Sequence, residues 1–177
     1  VAFTLRTLRA VCNRAIKSGR MSEGWYPFKN YKIQAAQVTG GARALTKEQI
    51  RILETAEDLE DKHRFALDLF LLSYYLRGAN MADLARLKRE NIVEGRIVYA
   101  RQKTGKAYSI PINSKAAAIL DRYTGSVYLL PVLAPGLNAK KERNRIHVAT
   151  RNANAGIREV AALCGIEAAN LSFYSAR

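Results

Sequence analysis

The sequence predicts a mostly helical α+β fold with one small antiparallel β-hairpin. Apolar residues recur at helical spacing along most of the chain, and the spacing changes to strand-like alternation only between residues 92 and 112. Apolar residues make up 49% of the 177 residues, which is enough for one core and a small appended piece.

The first predicted helix occupies the N-terminal residues and ends near Gly19. Its apolar residues share one face, while Arg6 and Arg9 project mostly from other faces. A helix this short cannot form a core alone, and residues 37–42 have the composition of a linker. We therefore predict two domains, residues 1–33 and 45–177, joined by a linker at 34–44.

The second domain is predicted to begin with a helix after Thr46, because Thr46 and Gln49 have the spacing of a capping box. Residues 62–75 are apolar on nearly every face, which predicts a helix in the middle of the core. Asn80 is expected to cap the next, short helix.

The strand-like runs, residues 96–101 and 107–112, flank a basic tip that contains Gly105. Ser114 is then expected to cap a helix. A long helix follows from about residue 140 to 164, with Gly165 at its end. The final residues begin another helix at Ser172.

The charge balance points to a polyanionic partner. The chain has 29 lysines and arginines against 15 acidic residues, a net charge of +14. A generally basic, ribosomal or membrane-surface protein is the alternative. Cys12 and Cys164 lie far apart within predicted helices, so we expect neither a disulfide nor a metal site, and a reducing cytoplasm.

No apolar run approaches the roughly 20 residues that span a bilayer, and the first residues lack the layout of a signal peptide. We therefore expect no membrane association. Because the first residue is Val1 and not Met, we also expect the chain to be a fragment.

Three segments together resemble the tyrosine recombinases, the phage-integrase family. Residues 74–88 resemble the first arginine box, residues 99–106 the segment with the hairpin lysine, and residues 171–177 the second arginine box. Their order and separations also match, and the closest resemblance is to integrases of Bacteroidetes mobile elements. Residues 5–9 and 27–28 resemble the end of the core-binding domain of these integrases, so the resemblance covers nearly the whole chain.

The resemblance implies a helical catalytic domain, preceded by the last helix of a helical core-binding domain. In this family two arginines bind the scissile phosphate, a hairpin lysine protonates the leaving 5′ oxygen, and a tyrosine becomes linked to the 3′ phosphate. Fixed guanidinium groups suit this chemistry because they stabilise the extra negative charge of the transition state without a metal. By position, Arg177 is the second arginine and Lys103 is the hairpin lysine, with Lys106 or Arg101 as alternatives.

The first arginine departs from the usual pattern. In most relatives it stands three residues before the acidic residue of the box; here that acid is Asp83, and Asn80 holds the position. We assign the role to Arg77, three residues further back, because a guanidinium can reach across one turn. The alternatives are that Arg77 is structural or that Asn80 fills the position. Tyr174 stands where most relatives have a histidine, and we expect it to orient the phosphate and not to be the nucleophile.

The resulting expectation is site-specific DNA recombination, with duplex DNA as partner, no cofactor or metal, a bacterial cytoplasmic location and a tetramer for the full-length protein. Further contacts to DNA are expected from Arg101, Lys106, Arg6 and Arg9. Because the nucleophilic tyrosine would follow Arg177, we expect this chain to bind DNA without cleaving it. The alternatives are a non-catalytic DNA-binding relic or regulator of the family, and a basic RNA-binding protein.

Overall fold

The computed structural model describes residues 2–31, 44–123, 127–167 and 170–176. The chain divides into two compact units, Val1–Gly41 and Ala42–Arg177. The predicted linker lies outside the described residues except for Ala44, so the domain assignment stays a prediction. Within the described ranges, no helix combines the length and apolar character needed to cross a bilayer.

The first unit contains helix α1, Ala2–Lys17, and a 3₁₀ turn at Glu23–Trp25. Gly19 has a φ of 70°, the left-handed conformation with which a glycine commonly ends a helix, as the sequence predicts. Arg6 and Arg9 are both exposed on α1.

The second unit contains five further α-helices and three strands among the described residues, with the following bounds: α2 Lys47–Glu54, α3 Asp61–Tyr75, α4 Met81–Leu84, β1 Ile92–Val93, β2 Arg96–Ala100, β3 Ala107–Pro111, α5 Ser114–Arg122 and α6 Ala139–Leu163. Short 3₁₀ turns occur at Arg89–Asn91 and Phe173–Ala176. The predicted fold class, mostly helical with a small antiparallel sheet, is confirmed.

Helix α3 lies at the centre of the core, as its apolar sequence predicts. Eight consecutive residues from Ala66 to Ser73 are buried, and α6 packs along the helix. The two helices approach closely at Gly156, where an added Cβ would lie 2.5 Å from the Cβ of Ala66. Glycine is therefore required there to permit the contact.

The sheet has the strand order β1-β2-β3, and both pairs are antiparallel. The hairpin of β2 and β3 was predicted, whereas β1 was missed because two exposed residues show no alternation. Ile97 and Ile110 are directly opposite one another and buried, so they anchor one sheet face in the core. Tyr99 and Tyr108 form the next pair on that face.

Helix caps largely follow the sequence predictions. Thr46 and Gln49 form the capping box ahead of α2. Asn80 caps α4, since its side chain accepts a hydrogen bond from the Asp83 backbone N–H. For α5 the prediction was wrong by one residue: the cap is Asn113, whose side-chain oxygen accepts a bond of 2.7 Å from the N–H of Ala116.

Candidate functional site

A small pocket lies where the end of α3 meets the β2–β3 hairpin. Its volume is about 210 Å³, below the roughly 300–1,000 Å³ of clefts that hold drug-sized ligands. We call it the hairpin pocket, and it is lined by Arg77, Gly78, Ala79, Tyr99, Arg101 and Tyr108. The structure therefore brings together two residues to which the sequence assigned DNA-related roles, Arg77 and Arg101.

The backbone turns sharply at Arg77. Its φ is 54° and that of Gly78 is 77°, both in the left-handed region. For a residue with a side chain this conformation costs on the order of 1 kcal/mol. The turn is held by Arg77 N–H, which donates to the Tyr74 carbonyl at 3.1 Å, and by Gly78 N–H, which donates to Ser73 at 2.8 Å. The end of α3 thus fixes the backbone from which the Arg77 side chain extends.

Asp83 ties α4 to the base of the hairpin. Its side chain is 2% exposed, and one carboxylate oxygen accepts a bond of 3.1 Å from the Gln102 backbone N–H. The other oxygen lies 3.9 Å from Nε of Arg101 and accepts a bond of 2.6 Å from the Asn80 side-chain amide. Both ends of the Asn80 amide are therefore hydrogen-bonded within the cap.

Two tyrosine rings form one side of the hairpin pocket. Tyr99 and Tyr108 are half-buried and stack with their ring centroids 5.4 Å apart and their planes 15° apart. Nζ of Lys106 lies 5.8 Å from the centroid of the Tyr108 ring, within range of a cation–π interaction. An anion that enters this pocket is therefore close to two arginines, Arg77 and Arg101, and to an aromatic surface.

Lys103 is exposed in the turn at residues 102–104, at the tip of the hairpin. It is not among the residues that line the hairpin pocket. Gly105 has a φ of 66°, which confirms the predicted turn. The lysine role assigned from the sequence stays a prediction.

The last described segment is anchored to α6. Phe173 N–H donates to the side-chain oxygen of Asn154 at 2.7 Å, and Nε of Arg158 donates to the Leu171 carbonyl at 2.8 Å. Phe173 is buried, whereas Tyr174 is 61% exposed. Sequence reasoning missed both α6 anchors, because neither contact has a periodic signature. Arg177, the predicted second arginine, lies outside the described residues.

A second polar cluster lies where α3 meets the end of α5. We call it the Asp68 cluster, and it consists of Asp68, Arg122 and Tyr123. The Asp68 side chain is 1% exposed; it accepts bonds of 2.7 and 2.9 Å from Nη1 of Arg122 and one of 2.8 Å from the Tyr123 hydroxyl. Burial, followed by the hydrogen bond to Asp68, raises the pKa of Tyr123 well above its usual value. The cluster joins the end of α5 to α3 and leaves no carboxylate oxygen unpaired.

Tyr75 makes a similar link between α3 and α2. Its hydroxyl donates a bond of 2.5 Å to Glu54, which also pairs with Lys115 of α5. Burial and this carboxylate raise the pKa of Tyr75. Burial also acts to raise the pKa of Glu54, but the hydrogen bonds from Lys115 and Tyr75 outweigh it and lower that pKa.

A cavity of about 630 Å³ lies between α3 and α6, and none of the predicted site residues lines it. It is mainly apolar, and His63 and Glu159, which are bonded at 2.6 Å, lie at its edge. Within the described ranges, no three His, Cys, Asp or Glu side chains gather closely enough to hold a metal ion.

Comparison with known proteins supports the integrase resemblance at a coarse level. No protein-family model matches the chain. Over 76 residues, or 43% of its length, the chain is 34% identical to an integrase of Escherichia phage P2. The matched region spans about a fifth of that integrase, 21% of its length.

Proposed function

We propose that this chain is part of a tyrosine-type site-specific recombinase of a mobile element, in which the hairpin pocket binds a phosphate of duplex DNA. The observation that carries the proposal is the convergence of Arg77 and Arg101 on one small pocket beside the hairpin that bears Lys103. The net charge of +14 and the similarity to a phage integrase support the same partner.

The proposed reaction is attack by a tyrosine hydroxyl on a DNA phosphodiester. The tyrosine hydroxyl gives up its proton to solvent, the new bond joins the tyrosine oxygen to the 3′ phosphate, and the bond to the 5′ oxygen breaks. Arg77 and Arg177 stabilise the negative charge on the non-bridging oxygens, Lys103 gives its proton to the 5′ oxygen, and Tyr174 orients the phosphate by a hydrogen bond. None of the nine tyrosines of this chain is proposed as the nucleophile, which the resemblance places after Arg177.

The domain roles follow the same proposal. Residues 45–177 form the catalytic domain up to the second arginine box, and residues 1–33 form the end of a core-binding domain that contacts DNA through Arg6 and Arg9. Lys106 adds a phosphate contact from the hairpin. The full-length protein acts as a tetramer on two duplexes in the bacterial cytoplasm, and it resembles integrases of Bacteroidetes mobile elements.

A covalent-trapping experiment tests this function. A library of short nicked duplexes lets the cleaved end diffuse away, so that a protein–DNA adduct accumulates and is scored on a denaturing gel. Residues 1–177 should bind the duplexes without forming an adduct, whereas a form extended by the sequence after Arg177 should form it. Arg177→Ala in the extended form should reduce adduct formation roughly 100-fold or more, as loss of a transition-state donor does elsewhere. An adduct with residues 1–177, or undiminished adduct with Arg177→Ala, would contradict the assignment.

Asn80 specifically favours a second candidate, a DNA-binding relic or regulator, because it stands where most relatives have the first arginine. Such a protein would bind duplex DNA with the same salt dependence, yet the extended form would give no adduct. Competition with structured RNA in the same binding assay separates both candidates from an RNA-binding protein.

A further inference from the structure

We propose that Arg101 supplies a further phosphate-binding guanidinium, in addition to those of Arg77 and Arg177, and acts with Arg77 on a single phosphate. The proposal rests on the proposed function only in taking that phosphate to belong to DNA. It gives Arg101 a specific position in the site, in contrast to a general contact along the DNA backbone.

Arg77 and Arg101 line the same pocket, and the described part of the fold does not use their guanidinium donors. Among the described residues, the guanidinium groups of Arg77 and Arg101 donate no hydrogen bond to any protein acceptor, although both line the hairpin pocket. Five other arginines of the same unit, by contrast, donate to backbone carbonyls or polar side chains: Arg64, Arg86, Arg96, Arg122 and Arg158. The two pocket arginines thus retain their donors for an external acceptor.

Arg101 is also held in place. Its backbone N–H donates to the Lys106 carbonyl at 2.9 Å, and its carbonyl accepts from Gly105 at 2.8 Å. The buried carboxylate of Asp83 lies 3.9 Å from Nε, close enough for electrostatic attraction but too far for a hydrogen bond. Asp83 therefore orients the guanidinium while its N–H donors remain available to an anion.

Two arginines from different elements suit a tetrahedral anion because their planar forks approach it from different directions. The pocket is small, and the stacked Tyr99 and Tyr108 rings close one side of it. Asn80 is used as the cap of α4, so the guanidinium groups at this pocket come from Arg77 and from Arg101 of the hairpin.

The test is a double-mutant cycle measured by DNA binding. Arg77→Gln, Arg101→Gln and the double variant are compared with the wild-type chain on one duplex across a range of salt concentrations. The slope of log affinity against log salt counts the phosphates neutralised, at roughly 0.9 for each. If both arginines bind one phosphate, each single variant should lose up to about 0.9 in slope, and the total loss in the double variant should also stay within about 0.9. Each single variant should also lose roughly tenfold in affinity.

Arg96→Gln is the matched control, because Arg96 is an arginine of the same hairpin whose guanidinium is bonded to Ser109, at 2.7 and 2.9 Å. It should leave the slope within error of the wild type, and circular dichroism should show that all variants are folded. A slope loss in the double variant that equals the sum of two full single losses would overturn the proposal, because it would mean two separate phosphates.

A titration with inorganic phosphate separates this inference from the proposed function, since it requires no DNA. In ¹⁵N–¹H NMR spectra, the Nε–Hε signals of Arg77 and Arg101 should shift along one binding curve, and the Arg96 signal should not. Arg77→Lys should weaken the phosphate affinity seen at Arg101. Independent curves, or no shift at Arg101, would contradict the shared site whether or not the chain binds DNA.

Discussion

The hairpin pocket and the Asp68 cluster are built from the same residue types but use them differently. In the Asp68 cluster, arginine and tyrosine both donate to one buried carboxylate, and the group is complete within the chain. In the hairpin pocket, the nearest carboxylate lies 3.9 Å from Arg101 and is occupied by Gln102 and Asn80. An arginine whose donors are bonded to a buried carboxylate stabilises the fold. An arginine whose N–H donors are unused beside a pocket can bind a ligand.

The largest effect on stability is expected at the Asp68 cluster. Asp68→Ala leaves Arg122 and Tyr123 without their acceptor, and breaking a buried ion pair costs about 3–5 kcal/mol. We expect about 3 kcal/mol, because the Arg122 side chain is 47% exposed and can be hydrated. Urea unfolding measures this free energy.

The control for Asp68→Ala is Glu48→Ala. Glu48 pairs with Arg51 at 3.5 Å, but both side chains are more than 70% exposed, at 72% and 74%, so the change should be small. The folded Asp68→Ala protein should also bind duplex DNA with the salt slope of the wild type. A large loss of slope would show that the two clusters are not functionally separate.

An intermediate effect, on both stability and DNA binding, is expected at Asp83. Asp83→Asn loses the charge beside Arg101 and disturbs the bond from Asn80, which should cost about 1–3 kcal/mol. Removal of a negative charge would by itself strengthen DNA binding, whereas loss of Arg101 orientation would weaken it. We expect a net loss of a few-fold in affinity, measured by fluorescence anisotropy under conditions where the variant is folded. An increase in affinity would show that Asp83 does not position Arg101.

The difference between local and non-local signals explains how much could be predicted from the sequence. The central helix, the capping box at Thr46 and the glycine turn of the hairpin depend on residues close together in the chain, and each was predicted correctly. Asp68 lies within an apolar helix, and its partners follow 54 and 55 residues later, so no local pattern indicated the cluster.

The candidate site shows the same limit. Family resemblance predicted a role for Arg77 and the basic hairpin, but the position of Arg77 and Arg101 at one pocket depends on how the turn after α3 meets the hairpin base. That junction is set by the bond from Gln102 N–H to Asp83, 19 residues apart. Hydrogen bonds of this kind have no periodicity, so the sequence alone could not select Arg101 over its basic neighbours.

The smallest effect is expected from the buried tyrosine hydroxyls, and it depends on pH. The pKa values of Tyr75 and Tyr123 are raised in the folded chain, so folding favours their neutral forms. Their stabilising contribution is fully present below the ordinary tyrosine pKa of about 10 and is lost as the pH rises above it.

Tyr123→Phe should cost about 1 kcal/mol at neutral pH, the usual contribution of one hydrogen bond, and should weaken the loss of stability above pH 10. Urea unfolding at neutral and alkaline pH measures both changes, with Tyr108→Phe as the control, because its hydroxyl donates to no carboxylate among the described residues. An equal alkaline loss in Tyr123→Phe and the wild type would show that the hydroxyl in the Asp68 cluster is not responsible, and the contrast between a closed cluster and an open pocket would then rest on Arg122 alone.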